Sequence, residues 1–405
     1  MNKPGILDGI RIVDLTMWFQ GPVAAQHLAD LGAEVIHFES PKGGDFARGV
    51  RSIRALPIGD WNQYFLVINR NKKSMAVDLN KPEGRDIMQK LAARSDVFLT
   101  NLSGKALEKW GCSYDELARI NPRLIYAMGS GYGPYGRITK PSFDLTVQAL
   151  TGIMSRLGEP GQPPIYLGMG SGDAMGGLMA AYGIMLALYE RARTGKGQLL
   201  DASLYGAQLF MGAPKLQPFL ATGSEHHSRQ QSRTTPDNAL WNTYAASDGW
   251  LVVCLRDEAD AWERFSATLE EPTLITDERF TTAANRKANA AALTARLDAI
   301  ISKRPGLDWI AAWRKRSIPC SEVRNLAGLA DDPQAWANDY FLKTHCDEVN
   351  REVTVRGMPV TFDKTPGTVR SLGPELGQDT ELILTESLDF TWEQVGELKA
   401  AGVIL

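Results

Sequence analysis

Residues 10–39 read IRIVDLTMWFQGPVAAQHLADLGAEVIHFE, and this stretch decides the fold. IRIVDLT (10–16) is a compact apolar run of strand length. GPVAAQHLADLG (21–32) has helical apolar spacing and stops on glycine, the residue favoured just past a helix end. AEVIHFE (33–39) is apolar again. Strand, helix and strand in so short a span predict a β-α-β unit. The rhythm continues downstream. KSMAVDL (73–79) reads as a strand, and PEGRDIMQKLAARS as a helix with Pro82 in its first turn. DVFLTNL (96–102) is a further strand, SYDELARINP a helix, and LIYAMGSGYG (124–133) the next strand. The expected class is α/β, with an open Rossmann-like parallel sheet.

A dinucleotide site does not follow from that layout. The first turn reads TMWFQGP, with Trp18 and Phe19 where the fingerprint G-x-G-x-x-G needs glycine. Glu39 closes the second strand, where an acidic residue often holds a ribose, but without the glycines a nicotinamide cofactor is not expected.

Two longer apolar helices are predicted next: FDLTVQALTGIMSRL, then the segment following GSGDAMGG. The second is interrupted by glycines and reads as a buried helix, not a membrane span. LLDASLYGAQLF returns to apolar structure. Residues 221–237 are polar and basic, as a linker or mobile loop would be. NTYAASDGWLVVCL then reads as strand–turn–strand with Asp248-Gly249 at the turn. ADAWERFSATL and residues 288–315 supply three helices, VTVRGMPVTF a strand, and TWEQVGELKAAG a last helix.

The chain has 405 residues, 44% hydrophobic and 22% charged, with a formal net charge of -3. No polybasic block is present, so neither nucleic acid nor an anionic membrane is an expected partner. The four cysteines (Cys112, Cys254, Cys320, Cys346) are widely separated and the five histidines show no ligand spacing. No metal site or disulfide framework is expected, and a reducing cytoplasm fits. MNKPGILDGIRIVDL has no signal-peptide apolar core.

Asp173 is the one charged side chain between Glu159 and Glu190. Three roles are open to it. It could cap the helix that follows. It could ligate a metal, though no second ligand-type residue lies nearby. It could act as a nucleophile or base, because small neighbours leave room for an acyl group and backbone N–H groups can hold an oxyanion.

Several segments together resemble one family. They are DLTMWFQGPVAAQHLADLGAEVIHFESPKGGDFARG, NRNKKSMAVDL, GYGPYG, FDLTVQALTGIMSRLGEPGQPP, the GDAMGG stretch, RTGKGQLLDASLYGA, YAASDGWLVVCL, IPCSEV, LADDPQAWANDYF and the terminal AAGVI. The family is the class III coenzyme A transferases of formyl-CoA and carnitine CoA-transferase (CaiB/BaiF) type. The resemblance implies a large domain from residues 1–220 and 331–405, a small α+β domain from 221–330, and an interlocked homodimer, with a heteromer as the alternative. It implies acyl-CoA and a carboxylic acid as substrates, and no permanently bound cofactor. The aspartate after the glycine-rich turn, Asp173, is implied as the nucleophile, forming an aspartyl anhydride and then an aspartyl-CoA thioester. Coenzyme A contacts are implied for Met17, Trp18, Phe19, the loop Asn69, Arg70, Asn71, Lys72 and Lys73, and Asn101 with Leu102. Arg48 and Lys109 could also meet its phosphates.

The sequence departs from the formyl-CoA enzymes at Met17 (histidine there) and Phe19 (glutamine there), and residues 232–240 stand near their glycine-rich lid. Small dicarboxylates are therefore less expected than an apolar acyl group against Trp18, Phe19 and Phe143. TTPDNALWNTYAASDGW and DDPQAWANDYF look like the aryl-lactate/cinnamoyl-CoA branch. The rival reading is a 2-methylacyl-CoA racemase, but that chemistry needs a second base. Phe143 stands before Asp144 where racemases carry a histidine.

Overall fold

The computed structural model describes residues 5–52, 59–138, 140–258 and 260–405. The first four residues of the stretch read for a leader lie outside that set.

The opening stretch folds as β1 (Arg11–Leu15), α1 (Gln20–Asp30) and β2 (Glu34–Glu39). The chain continues through α2 (Gln63–Ile68), β3 (Lys73–Ala76), α3 (Pro82–Ala93), β4 (Val97–Thr100), α4 (Gly104–Lys109), α5 (Tyr114–Ile120) and β5 (Ile125–Met128). Then come α6 (Asp144–Leu150), α7 (Ser171–Thr194), β6 (Leu199–Asp201), α8 (Leu204–Met211) and α9 (Ala213–Thr222). The six strands form one parallel sheet in the order β3-β2-β1-β4-β5-β6.

Both faces of the sheet are covered, which is why its strands read as apolar runs without alternation. Val13, Ile36, Phe98 and Tyr126 pack on one side with Ile87, Met88 and Leu91 of α3 and with Leu398 of the helix Trp392–Ala400. Their chain neighbours Ile12, Val35, Val97 and Ile125 pack on the other, against Ala24, Ala25 and Leu28 of α1 and Ala180, Ile184 and Ala187 of α7.

Contacts divide the chain into two compact units. The first takes residues 1–154, 166–223 and 334–405, and the second 155–165 and 224–333. Within the second unit, β7 (Trp241–Ala245) and β8 (Trp250–Cys254) form an antiparallel hairpin whose turn contains Asp248-Gly249, and β9 (Cys320–Glu322) pairs with β8. Trp309, Trp313, Phe265 and Leu297 fill its core. Residues 232–234, expected to be mobile, are held by Glu159, which accepts from Ser232 Oγ (2.7 Å) and the Arg233 N–H (2.5 Å).

Two helix predictions change. FDLTVQALTGIMSRL does not run as one helix: α6 ends at Leu150, and Gly152 takes φ +75°, outside helical geometry. The long helix α7 is buried on one face only. Gly172, Gly176, Gly177, Ala180, Ala181, Ile184 and Ala187 point inward, while Leu178, Tyr182, Leu186 and Tyr189 are 43–67% exposed along the opposite side. By length and composition α7 could cross a membrane, but a soluble core helix passes the same test.

Candidate active site

The site is built on the start of α7. Gly168 and Gly170 adopt φ +127° and +77°, and Gly170 occupies the cap position. Asp173 is the third residue of the helix and its side chain makes no capping bond. Gly170 at the cap position offers no side chain, so the first N–H groups of α7 have no side-chain cap. Among the described residues no group of three His, Cys, Asp or Glu side chains could hold a metal.

The first turns of α7 are clamped from three sides, at positions where only glycine fits. A Cβ on residue 172 would overlap Gln208 Nε2 of α8 and Asp144 Oδ1 of α6, and one on residue 177 would come within 2.6 Å of the Gln20 carbonyl of α1. A Cβ on residue 170 would stand about 3.8 Å from the Phe19 ring. Phe19 in turn lies 5.5 Å, centroid to centroid, from Tyr64 of α2. Asp173 is half-buried here. Removal from water, and secondarily the Asp144 carboxylate, push its pKa up from 3.8 to about 7. Tyr64 is linked to it: burial, then Asp173 and Asp45, raise the phenol above its ordinary value. Sequence reasoning missed Tyr64, which carries no motif of its own.

The loop leaving β1 is fixed at the carboxyl edge of the sheet. The Met17 N–H donates to Asn101 Oδ1 (3.0 Å), and Asn101 Nδ2 donates back to the Met17 carbonyl (2.8 Å). The Trp18 N–H donates to Asp45 Oδ1 (3.1 Å), and the Trp18 ring stacks on Phe46 at 5.8 Å. Trp18 holds φ +70°, a left-handed conformation costly for a bulky residue and found where a site demands it. Met17, Trp18, Phe19, Asn101 and Leu102 are all partly exposed. Lys109 is exposed on α4, donates to Asn80 Oδ1 (2.8 Å), and lines an open recess of about 350 Å³ with Arg85, Gln89 and Glu116. Phe143, proposed for the acyl pocket, is 62% exposed.

The basic loop 69–73, expected to contact coenzyme A, is tied into the fold by its side chains. It enters β3 and does not follow a strand. Asn69 and Arg70 are fully buried and Lys72 nearly so. Arg70 pairs with Asp30 (Nη2–Oδ2 2.6 Å) and donates to the Arg356 carbonyl. Lys72 pairs with Asp14 (2.7 Å), and Asn71 bonds Asp30 and the Thr368 carbonyl. Charges buried this deeply must be paired, and these are, within the protein. Lys73 is exposed and paired with Glu34. Arg48 grips Glu39 with two nitrogens (2.7 Å each) and lies over the Phe65 ring at 3.9 Å. Glu39 is also bound by Ser74 Oγ and the Asp45 N–H, which leaves it unavailable for a ribose. Beside this cluster, burial opposes the charging of His37, but Asp14 and Glu39 outweigh it and raise its pKa to about 9.

The profile of CoA-transferase family III matches residues 7–380. A succinyl-CoA–D-citramalate CoA-transferase of Chloroflexus aurantiacus is 30% identical, over 100% of this chain and 99% of its own length. An acetyl-CoA:oxalate CoA-transferase of Acetobacter aceti is 34% identical, over 84% of this chain and 87% of its own. The crystal structure of a CaiB/BaiF family protein from Brucella suis superposes with a TM-score of 0.83 at 32% identity, covering 95% of this chain and all of that one.

The buried pair gives a direct test of the loop's role. Arg70→Ala should cost about 3–5 kcal/mol of stability by leaving Asp30 unpaired, whereas Lys73→Ala should change it by less than about 1 kcal/mol. Urea denaturation of both variants measures this. A raised KM for acyl-CoA with unchanged stability in Arg70→Ala would instead make Arg70 a phosphate ligand.

Proposed function

Because the chain belongs to CoA-transferase family III and is a CoA-transferase acting between acyl-CoA donors and carboxylic acids, we propose that Asp173 is the nucleophile that carries the group. The observation behind this is one carboxylate in the first turn of a 24-residue helix, half-buried, without a cation partner among the described residues, its pKa raised to about 7. A carboxylate stripped of water and of counter-charge is more basic, and so more nucleophilic, than one in solution.

Transfer on Asp173 takes four steps. An Asp173 oxygen attacks the thioester carbonyl, the C–S bond breaks, and CoA thiolate leaves a mixed anhydride. The thiolate attacks the aspartyl carbonyl and the donor carboxylate departs, giving an aspartyl-CoA thioester. The acceptor carboxylate attacks that carbonyl and expels thiolate again. The thiolate then takes the acceptor's acyl carbonyl and frees Asp173. Each tetrahedral centre places negative charge beside unpaired N–H groups at the start of α7, whose dipole favours it.

The partly exposed Met17, Trp18, Phe19, Asn101 and Leu102, with the exposed Lys109, are the proposed CoA contacts, with the acyl group against Phe19 and Tyr64. Asn69, Arg70 and Lys72 hold the fold beneath them. A racemase reading gains nothing from Phe143, which cannot move a proton. Four free cysteines suit a reducing cytoplasm.

We also propose that two copies of the chain associate, as interlocked homodimers of the family do, covering the apolar stripe Leu178, Tyr182, Leu186 and Tyr189. Sedimentation in dilute solution should give twice the chain mass, and a monomer at all concentrations would contradict this.

Asp173→Ala should lower transfer by roughly four orders of magnitude or more, as loss of a covalent nucleophile does, with an unchanged melting transition. In the wild type, kcat/KM should rise with pH through about 7 and then level, because only the ionised carboxylate attacks. Transfer surviving in Asp173→Ala would overturn the assignment.

A further inference from the structure

Beneath Asp173 lies a second carboxylate that the transfer steps do not use. Asp144 opens α6, is 7% exposed, and forms no ion pair among the described residues. Its two oxygens are each held by a glutamine amide: Gln148 Nε2 donates to Oδ2 (3.0 Å) and Gln208 Nε2 to Oδ1 (2.9 Å). The direction of the Gln148 amide is fixed from its far end by a main-chain donor. Gln148 Oε1 accepts the Leu167 N–H (2.9 Å), and Gln208 Oε1 accepts from Thr151 Oγ1 (3.4 Å). The Gln148 NH₂ group therefore faces Asp144 Oδ2, and Gln208 Nε2 lies against Oδ1. Two amide donors suit a carboxylate, and asparagine could satisfy only one of them. Burying such a charge without a cation is costly, and apolar packing would be a cheaper way to fill the space.

The same residues reach the nucleophile's backbone. Gln148 Nε2 also donates to the Gly168 carbonyl (3.1 Å), fixing the turn before α7. Asp144 Oδ1 and Gln208 Nε2 occupy the space where a side chain on residue 172 would stand, immediately before Asp173.

We propose that Asp144 is a positioning residue for the transfer reaction: its buried carboxylate, held between Gln148 and Gln208, faces the start of α7 as a negative charge beside Asp173, and it orients the Gln148 amide that holds the turn before the nucleophile. This rests on Asp173 being the nucleophile. Among the described residues two titratable groups interact electrostatically with Asp173, Asp144 from α6 and Tyr64 from α2. Tyr64 stays neutral across the working range. Gln20 of α1 and Gln208 of α8 carry no charge. Desolvation is the larger cause of the raised Asp173 pKa and Asp144 the second, so removing Asp144's charge removes part of the shift.

The test is the pH profile of kcat/KM for wild type and Asp144→Asn. The acid limb should move down by about 1 pH unit and the plateau above pH 8 should fall, because a less basic carboxylate attacks more slowly. A merely structural role would lower the plateau and leave the limb in place, and that result overturns the proposal. The nucleophile reading is judged separately: if Asp173→Ala abolishes transfer and the limb of Asp144→Asn is unmoved, only the role of Asp144 falls. Should Asp144→Asn not fold, carbon-13 carboxyl spectra of aspartate-labelled wild type decide. The Asp144 carbon should show an inflection as Asp173 titrates near pH 7, and a flat trace there overturns the proposal.

Discussion

The first two turns of α7 lie against α1, α6 and α8 only because residues 172, 176 and 177 have no side chains. That close approach is the constraint on which the site depends. It brings the helix start under Phe19, places Asp144 and Gln208 against the backbone of residue 172, and keeps water from one side of Asp173. A single methyl group at 172 or 177 would have to displace a buried amide or a main-chain carbonyl. Glycine lowers helix stability in isolation, so its recurrence here marks packing as the stronger term.

Electrostatics divides the first unit into two regions with opposite logic. Around Asp14 and Asp30, carboxylates meet Lys72, His37 and Arg70, and each charge is balanced inside the fold. Pairing holds the Asp14 carboxyl far below the usual carboxylate range even though burial opposes it. Around Asp173 no cation is supplied among the described residues and a second carboxylate is close, so the pKa moves the other way. The first region fastens β1, β2 and the entry to β3. The second keeps one group reactive, which is the difference between an ion pair that builds a sheet and a carboxylate left to do chemistry.

Much of this was legible in the sequence. The apolar runs and glycine stops from residue 10 onward marked the strands and helices of the sheet, because burial on both faces leaves continuous hydrophobic strands. Asp173 stood out because its neighbours are small and uncharged. The fate of Arg70 and Lys72 was not legible. A buried lysine and an exposed one look alike in a sequence, and their partners Asp30 and Asp14 lie 40 and 58 positions away. Tyr64 and the Asp144–Gln148–Gln208 cluster were hidden for the same reason: their meaning lies in long-range contact, not in local spacing. The early end of α6 depended on a backbone angle at Gly152 that composition alone does not fix.

The most direct measurement is the mass of Asp173 itself during turnover. The protein is mixed with an acyl-CoA, quenched with hydroxylamine, digested, and its peptides weighed. The account predicts a hydroxamate on Asp173 that requires acyl-CoA, since both the anhydride and the aspartyl thioester react with hydroxylamine. Transfer proceeding with Asp173 unmodified at every quench time would contradict it.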